Sequence, residues 1–125
     1  MNHAEFVESY VAMLGKILDC AEKARREGIL ALEEGLNQEK ADKREIFEYG
    51  MGFVVDGTDS VLIEKILSNI IAQEKDEYSR ILKTIQKEAV LAIQEGLNPR
   101  ILIHVLTSYT DIPLNDERIK KLLKD

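Results

Sequence analysis

The pattern that decides the fold lies in residues 60–95, which read SVLIEKILSNIIAQEKDEYSRILKTIQKEAVLAIQE. This stretch contains neither glycine nor proline, and its apolar residues recur at steps of three and four. That spacing places them on one face of an α-helix. Only residues 72–77 are almost continuously polar, and they leave two structures open. The stretch forms either one long helix or two helices with a break near Lys75.

A second amphipathic pattern occupies residues 4–35, where charged residues separate an apolar stripe that begins with Phe6, Tyr10 and Leu14. It predicts another long helix, although Gly15 and Gly28 are weak helix formers. Each of these two glycines marks either a close approach of another helix or a kink. An apolar stripe on a long helix can be buried only against other helices. The sequence therefore predicts an all-α helical bundle in which the helices 4–35 and 60–95 run antiparallel.

Several shorter helices are expected to pack beside the two long ones. The predicted segments are a helix that covers residues 45–55 and ends near Asp56 and Gly57, a helix over residues 100–109 and a final short helix that ends at Leu123. Asp59 and Asn98 are predicted N-caps, because their side chains accept hydrogen bonds from free backbone N–H groups. Either Asn115 or Asp116 caps the final helix. Residues 38–44 are interpreted as a loop or a helix start.

Length and charge restrict the kind of protein. The chain has 125 residues, which predicts a single domain over residues 1–125. Its net charge of −6 disfavours nucleic acid as a partner, because phosphate backbones repel an acidic protein. The apolar runs are shorter than the roughly 20 residues that a membrane span requires. Because Glu5 and Glu8 interrupt any signal peptide, we expect a cytoplasmic protein that does not span a membrane.

The sequence offers no recognisable set of catalytic or metal-binding residues. His3 and His104 have no cysteine or carboxylate at ligand spacing, and no phosphate-binding glycine loop is present. Ser60 and Ser68 have no histidine to activate them. The only cysteine, Cys20, lies among apolar helix positions and is interpreted as a small core residue. We therefore expect a protein without enzymatic activity, cofactor or metal.

Three segments, in this order, resemble one known family. They are ARREGILALE at residues 24–33, FVVDGTD at residues 53–59 and EAVLAIQEGLNPR at residues 88–100. Together they are similar to cytoplasmic parts of MotA, the stator subunit of the flagellar motor. The resemblance covers residues 22–59 and 85–109 and implies a motility-related function through protein–protein contacts.

The chain departs from the MotA pattern where that family has membrane helices. In the family, two such helices separate the second and third segments, whereas residues 71–87 of this chain are too polar to enter a membrane. Residues 4–21 replace another membrane helix and carry four charged side chains. The resemblance therefore implies a soluble module that lacks the ion channel.

The resemblance also suggests which residues contact a partner. In the family, an arginine three residues before the motif glycine and a glutamate at the motif end face the rotor protein FliG. These residues correspond to Arg25 and Glu33, and their neighbours Arg26 and Glu34 complete the candidate partner-binding set. Residues eight apart lie on roughly the same face of a single helix, so Arg25 and Glu33 are expected to face one partner.

The expected partner is a protein, either FliG or a stator subunit. An alternative function is a helical regulatory or scaffold protein that kept this module but serves a non-flagellar assembly. A homodimer contact through residues 4–21 is also predicted, because a long amphipathic helix often exceeds what a small core can cover.

Overall fold

The computed structural model describes residues 1–36 and 45–123. Within them it contains one 3-10 helix and six α-helices, and none of these combines the length and apolar character that a membrane crossing requires. The α-helices are α1 (His3–Glu27), α2 (Ile46–Val55), α3 (Ser60–Ile71), α4 (Glu77–Glu95), α5 (Pro99–Thr107) and α6 (Glu117–Leu122), and the 3-10 helix is Ile29–Gly35. The predicted all-α bundle is confirmed, and the prediction for residues 38–44 lies outside the described residues.

The polar stretch in the second long pattern is a break between two helices. Helix α3 ends at Ile71, and α4 begins at Glu77. The Asp76 carboxylate caps α4 by accepting a hydrogen bond of 2.9 Å from the backbone N–H of Ser79. The Glu74 carboxylate lies 2.8 Å from Lys83 Nζ. The charged side chains of this turn pair with the start of α4. Of the two structures that the pattern left open, the break near Lys75 is therefore confirmed, and α3 and α4 form a hairpin.

Helix α4 is the centre of the bundle, since it contacts α1, α2, α3 and α5. Helix α3 lies antiparallel to it. Lys87 Nζ on α4 lies 3.2 Å from Glu64 Oε2 on α3, and Gln94 Nε2 donates a 2.8 Å hydrogen bond to the carbonyl of Thr58 just before α3. Ile85 on α4 is completely buried and belongs to the single apolar core cluster of the described residues.

The two longest helices, α1 and α4, are parallel, which corrects the predicted antiparallel pair. Their first turns meet, because the Met1 ammonium lies 3.2 Å from Asp76 Oδ1 and the rings of Phe6 and Tyr78 stack with centroids 4.6 Å apart. Their last turns also meet, since Ala24 and Ile93 line the same small cavity. The reason is the break before Glu77, which reverses the chain after α3 and turns α4 into the direction of α1.

Helix α1 is shorter than the predicted helix over residues 4–35. A capping box between Asn2 and Glu5 starts it, and it ends at Glu27, before Gly28. The following 3-10 helix contacts α1 and α2 and places Leu32 in the core with 5% of its surface exposed. The need to bury Leu32 against α1 and α2 explains why the chain turns there.

The core covers the apolar face of α1. Six residues of this helix are buried: Phe6, Val7, Tyr10, Leu14, Ile17 and Ala21. Because the other helices of the same chain cover this face, the reason for predicting a homodimer contact through residues 4–21 falls away. At Gly15, helix α6 lies close to α1, since a Cβ atom at Gly15 would lie 3.2 Å from Leu122 Cδ2.

The predicted caps of the later helices are confirmed. Asn98 Oδ1 accepts a 2.9 Å hydrogen bond from the N–H of Arg100, with Pro99 in the first turn of α5. Asp116, rather than Asn115, caps α6 by accepting from the N–H of Arg118. The Arg118 side chain also donates to the Asp116 carboxylate, with Nη2 2.7 Å from Oδ2.

This arrangement makes the end of the bundle that carries α6 sensitive to acid. Hydrogen bonds from the Arg118 side chain and backbone lower the pKa of Asp116 to about 2, while an unfolded aspartate titrates near 3.9. The ionised cap therefore stabilises α6 fully above about pH 4 and less as the pH falls towards 2. We expect Asp116→Asn to weaken this pH dependence, measured as the change in the amide shifts of Arg118 and Ile119 between pH 5 and pH 2, because asparagine keeps the cap but does not titrate. An unchanged pH dependence in the variant would contradict this role of Asp116.

Candidate partner-binding surface

The four predicted residues lie at one end of α1 and on the 3-10 helix that follows it. Arg25 and Arg26 belong to the last turn of α1, where cations interact favourably with the negative end of the helix dipole. Glu33 and Glu34 lie near the end of the 3-10 helix. All four are exposed. Two cationic and two anionic side chains are thus presented on neighbouring elements.

The prediction that Arg25 and Glu33 share one face of a single helix is wrong. Gly28 separates them with φ 91° and ψ 161°, a backbone region that is essentially restricted to glycine. The chain leaves α1 at this residue and continues as a 3-10 helix. Among the ion pairs of residues 1–36 and 45–123, none joins either arginine to Glu33 or Glu34. The two pairs of charges therefore lie on two consecutive elements that Gly28 joins.

Arg25 lies beside a small apolar depression, which we call the α1–α4 notch. It has a volume of about 180 Å³ and lies between the ends of α1 and α4. Its lining residues are mostly apolar or small, with Gln94 as the uncharged polar one: Ala21, Ala24, Gly28, Ile29, Ile93, Gln94, Gly96 and Leu97. Arg25 is the charged residue among the described residues that line the notch.

Arg26 faces a different groove, between α1, α5 and α6, with a volume of about 810 Å³. Asp19, Glu22 and Arg100 also line this groove, so its charges are mixed. Arg26 Nε lies 3.5 Å from the backbone carbonyl of Glu22, a long contact within α1. The two arginines consequently point to different neighbours, and only Arg25 borders the apolar notch.

The described residues hold no group of three or more His, Cys, Asp or Glu side chains that could bind a metal ion. Cys20 is half-buried, and burial raises the pKa of its thiol. A protonated thiol is a poor nucleophile. The features that this region offers to another molecule are therefore exposed charges and the notch.

Sequence reasoning missed the notch and the exposure of Leu30. Leu30 follows Ile29 on the 3-10 helix and has 70% of its surface exposed. The available signal was the run of small residues Ala21, Ala24 and Gly28 at steps of three and four, which allows a depression on one helix face. This signal is weak, because the partner face comes from α4, about 70 positions further along the chain.

Comparison with known proteins supports a MotA-like relationship. The chain is similar to Motility protein A of Treponema phagedenis, with 33% identity over 94 residues that make up 75% of this chain. The match covers 34% of that protein, so the chain spans about a third of the length of the curated relative. No protein-family model matches the chain, and no solved structure matches it.

Proposed function

We propose that this chain is a non-enzymatic, cytoplasmic protein of the flagellar motor that corresponds to the soluble module of a MotA-type stator subunit. It acts by binding a motor component through the surface that carries Arg25, Arg26, Glu33 and Glu34. The rotor protein FliG is the first partner to test, and a stator subunit is the second. The observation that carries the proposal is the similarity to Motility protein A in a chain whose described helices include no membrane span.

The geometry is compatible with electrostatic recognition of a protein. The cationic end of α1 and the anionic 3-10 helix are exposed, and both are attached to the core, α1 through Ala21 and the 3-10 helix through Leu32. Exposed charges of this kind contribute more to association rate and orientation than to affinity. Because such contacts are screened by salt, binding should weaken strongly as ionic strength rises.

Reversing the charge of Arg25 tests the proposal. We expect Arg25→Glu to weaken binding to the C-terminal domain of FliG by about tenfold at low salt, which corresponds to about 1.4 kcal/mol. The reason is that a favourable contact with an acidic partner residue becomes repulsion. Titration calorimetry at low and high salt measures the change, and the difference between the two proteins should shrink at high salt.

Lys65→Glu is the matched control, because Lys65 is an exposed cation on α3 and its reversal changes the net charge equally. We expect this variant to bind within about twofold of the original protein, as for surface charges outside the contact. Equal losses in both variants would mean that overall charge, rather than the end of α1, controls binding. Absence of binding at low salt by the folded original protein would contradict the rotor contact and favour the scaffold function.

A further inference from the structure

We propose that the α1–α4 notch receives one large apolar side chain of the partner, which the partner carries next to an acidic residue that pairs with Arg25. This inference rests on the proposed function and deepens it. It adds a specific anchoring position to a surface that would otherwise recognise its partner by exposed charge alone.

The size of the notch fits a single side chain. A benzene molecule fills an enclosed cavity of about 150 Å³, so the volume of the notch, about 180 Å³, is of the size that one large side chain occupies. Its walls combine branched side chains, Ile29, Ile93 and Leu97, with the small residues Ala24 and Gly28. A leucine, isoleucine, methionine or phenylalanine side chain of the partner would therefore fill it and remove these apolar walls from water.

The backbone at the rim leaves the entrance open. A Cβ atom added at Gly28 or at Gly96 would meet no heavy atom within 4 Å. Both glycines line the notch, and each follows the last residue of a helix, α1 or α4.

The charge of Arg25 indicates which residue the partner carries next to that apolar side chain. Arg25 borders the notch and is exposed. Binding sites commonly combine an apolar anchor in a pocket with a surrounding polar rim, and the anchor carries most of the affinity. The partner surface therefore presents an apolar side chain and an aspartate or glutamate close together.

The test fills the notch without altering any charge. In Ala24→Leu the added side-chain carbons enter the notch, and both residues are strong helix formers, so α1 should persist. Ala12→Leu is the matched control, because Ala12 is exposed on the same helix and does not line the notch. The probe is the C-terminal domain of FliG, and calorimetry measures its affinity for each variant, with helix content and melting checked by circular dichroism.

We expect Ala24→Leu to weaken binding by about tenfold or more, while Ala12→Leu stays within about twofold of the original protein. Normal binding by Ala24→Leu, together with loss of binding in Arg25→Glu, would contradict the proposal that the notch receives a partner side chain. The proposed function would still be supported. Absence of binding by the original protein would overturn both. If Ala24→Leu lowers the melting temperature, Ala24→Met repeats the test with a more adaptable side chain.

Discussion

Replacing Ile85 with alanine is expected to lower the free energy of unfolding by about 2–5 kcal/mol. Ile85 has no exposed surface and lies on α4, the helix that contacts α1, α2, α3 and α5. Truncating it removes apolar contacts and leaves a cavity that the surrounding helices can fill only in part. Since small domains are typically stable by about 5–15 kcal/mol, the variant should unfold at a much lower urea concentration.

Ile101→Ala is the matched control for this prediction. Ile101 lies on α5 and has 53% of its surface exposed, so the same truncation should cost less than about 1 kcal/mol, as is usual for surface substitutions. Urea denaturation followed by circular dichroism gives both values. Equal losses for Ile85→Ala and Ile101→Ala would contradict the central position of α4 in the bundle.

Replacing Gly28 with alanine is expected to cost about 1–3 kcal/mol, the usual penalty for a non-glycine residue in this backbone region. Gly28 has φ 91° and ψ 161°, and it allows the chain to leave α1 and bury Leu32. With alanine at position 28, either the backbone is strained, or α1 continues past this position and displaces the 3-10 helix. Either outcome lowers the free energy of unfolding, which urea denaturation measures.

Gly35→Ala supplies the control for the backbone argument. Gly35 ends the 3-10 helix, does not have a positive φ, and a Cβ atom there would meet no heavy atom within 4 Å. Alanine should therefore be neutral or stabilise the protein by up to about 1 kcal/mol, because it restricts the unfolded chain. A loss in Gly35→Ala as large as that in Gly28→Ala would show that the strain at Gly28 is not the cause.

The features predicted from the sequence are those set by residues close together in the chain. The caps by Asp59 and Asn98 depend on hydrogen bonds to backbone N–H groups two residues away, so the local pattern is sufficient. The helical class follows from the spacing of apolar residues. Helix α2 was predicted to end near Gly57, and it ends at Val55.

The features that the sequence did not settle depend on contacts between distant residues. The pattern around Lys75 allowed both a continuous helix and a break, and the pairing of turn residues such as Glu74 with α4 favours the break. The apolar period also continues through Gly28 into residues 29–35, so it does not reveal the turn. Burial of Leu32 against α1 and α2 outweighs the local tendency to extend α1.

For the candidate surface, too, the features set by nearby residues were predicted and those that depend on distant contacts were not. The exposure of Arg25 and Glu33 follows from their charge, whereas their placement on one helix face required an uninterrupted helix that Gly28 prevents. The notch joins Ala24 to Leu97 across the parallel pair α1 and α4. The sequence predicted that pair as antiparallel, and the contacts between their first turns correct that orientation.

The central claim is that a motor protein binds at the end of α1, and chemical-shift mapping tests it most directly. The measurement titrates the isotopically labelled chain with the C-terminal domain of FliG and follows its backbone and methyl signals. We expect the largest changes at Arg25, Glu33 and Leu97, and little change at Met1 and Tyr78, where the other ends of α1 and α4 meet. Changes centred on Met1 and Tyr78, or no changes at all, would contradict the claim.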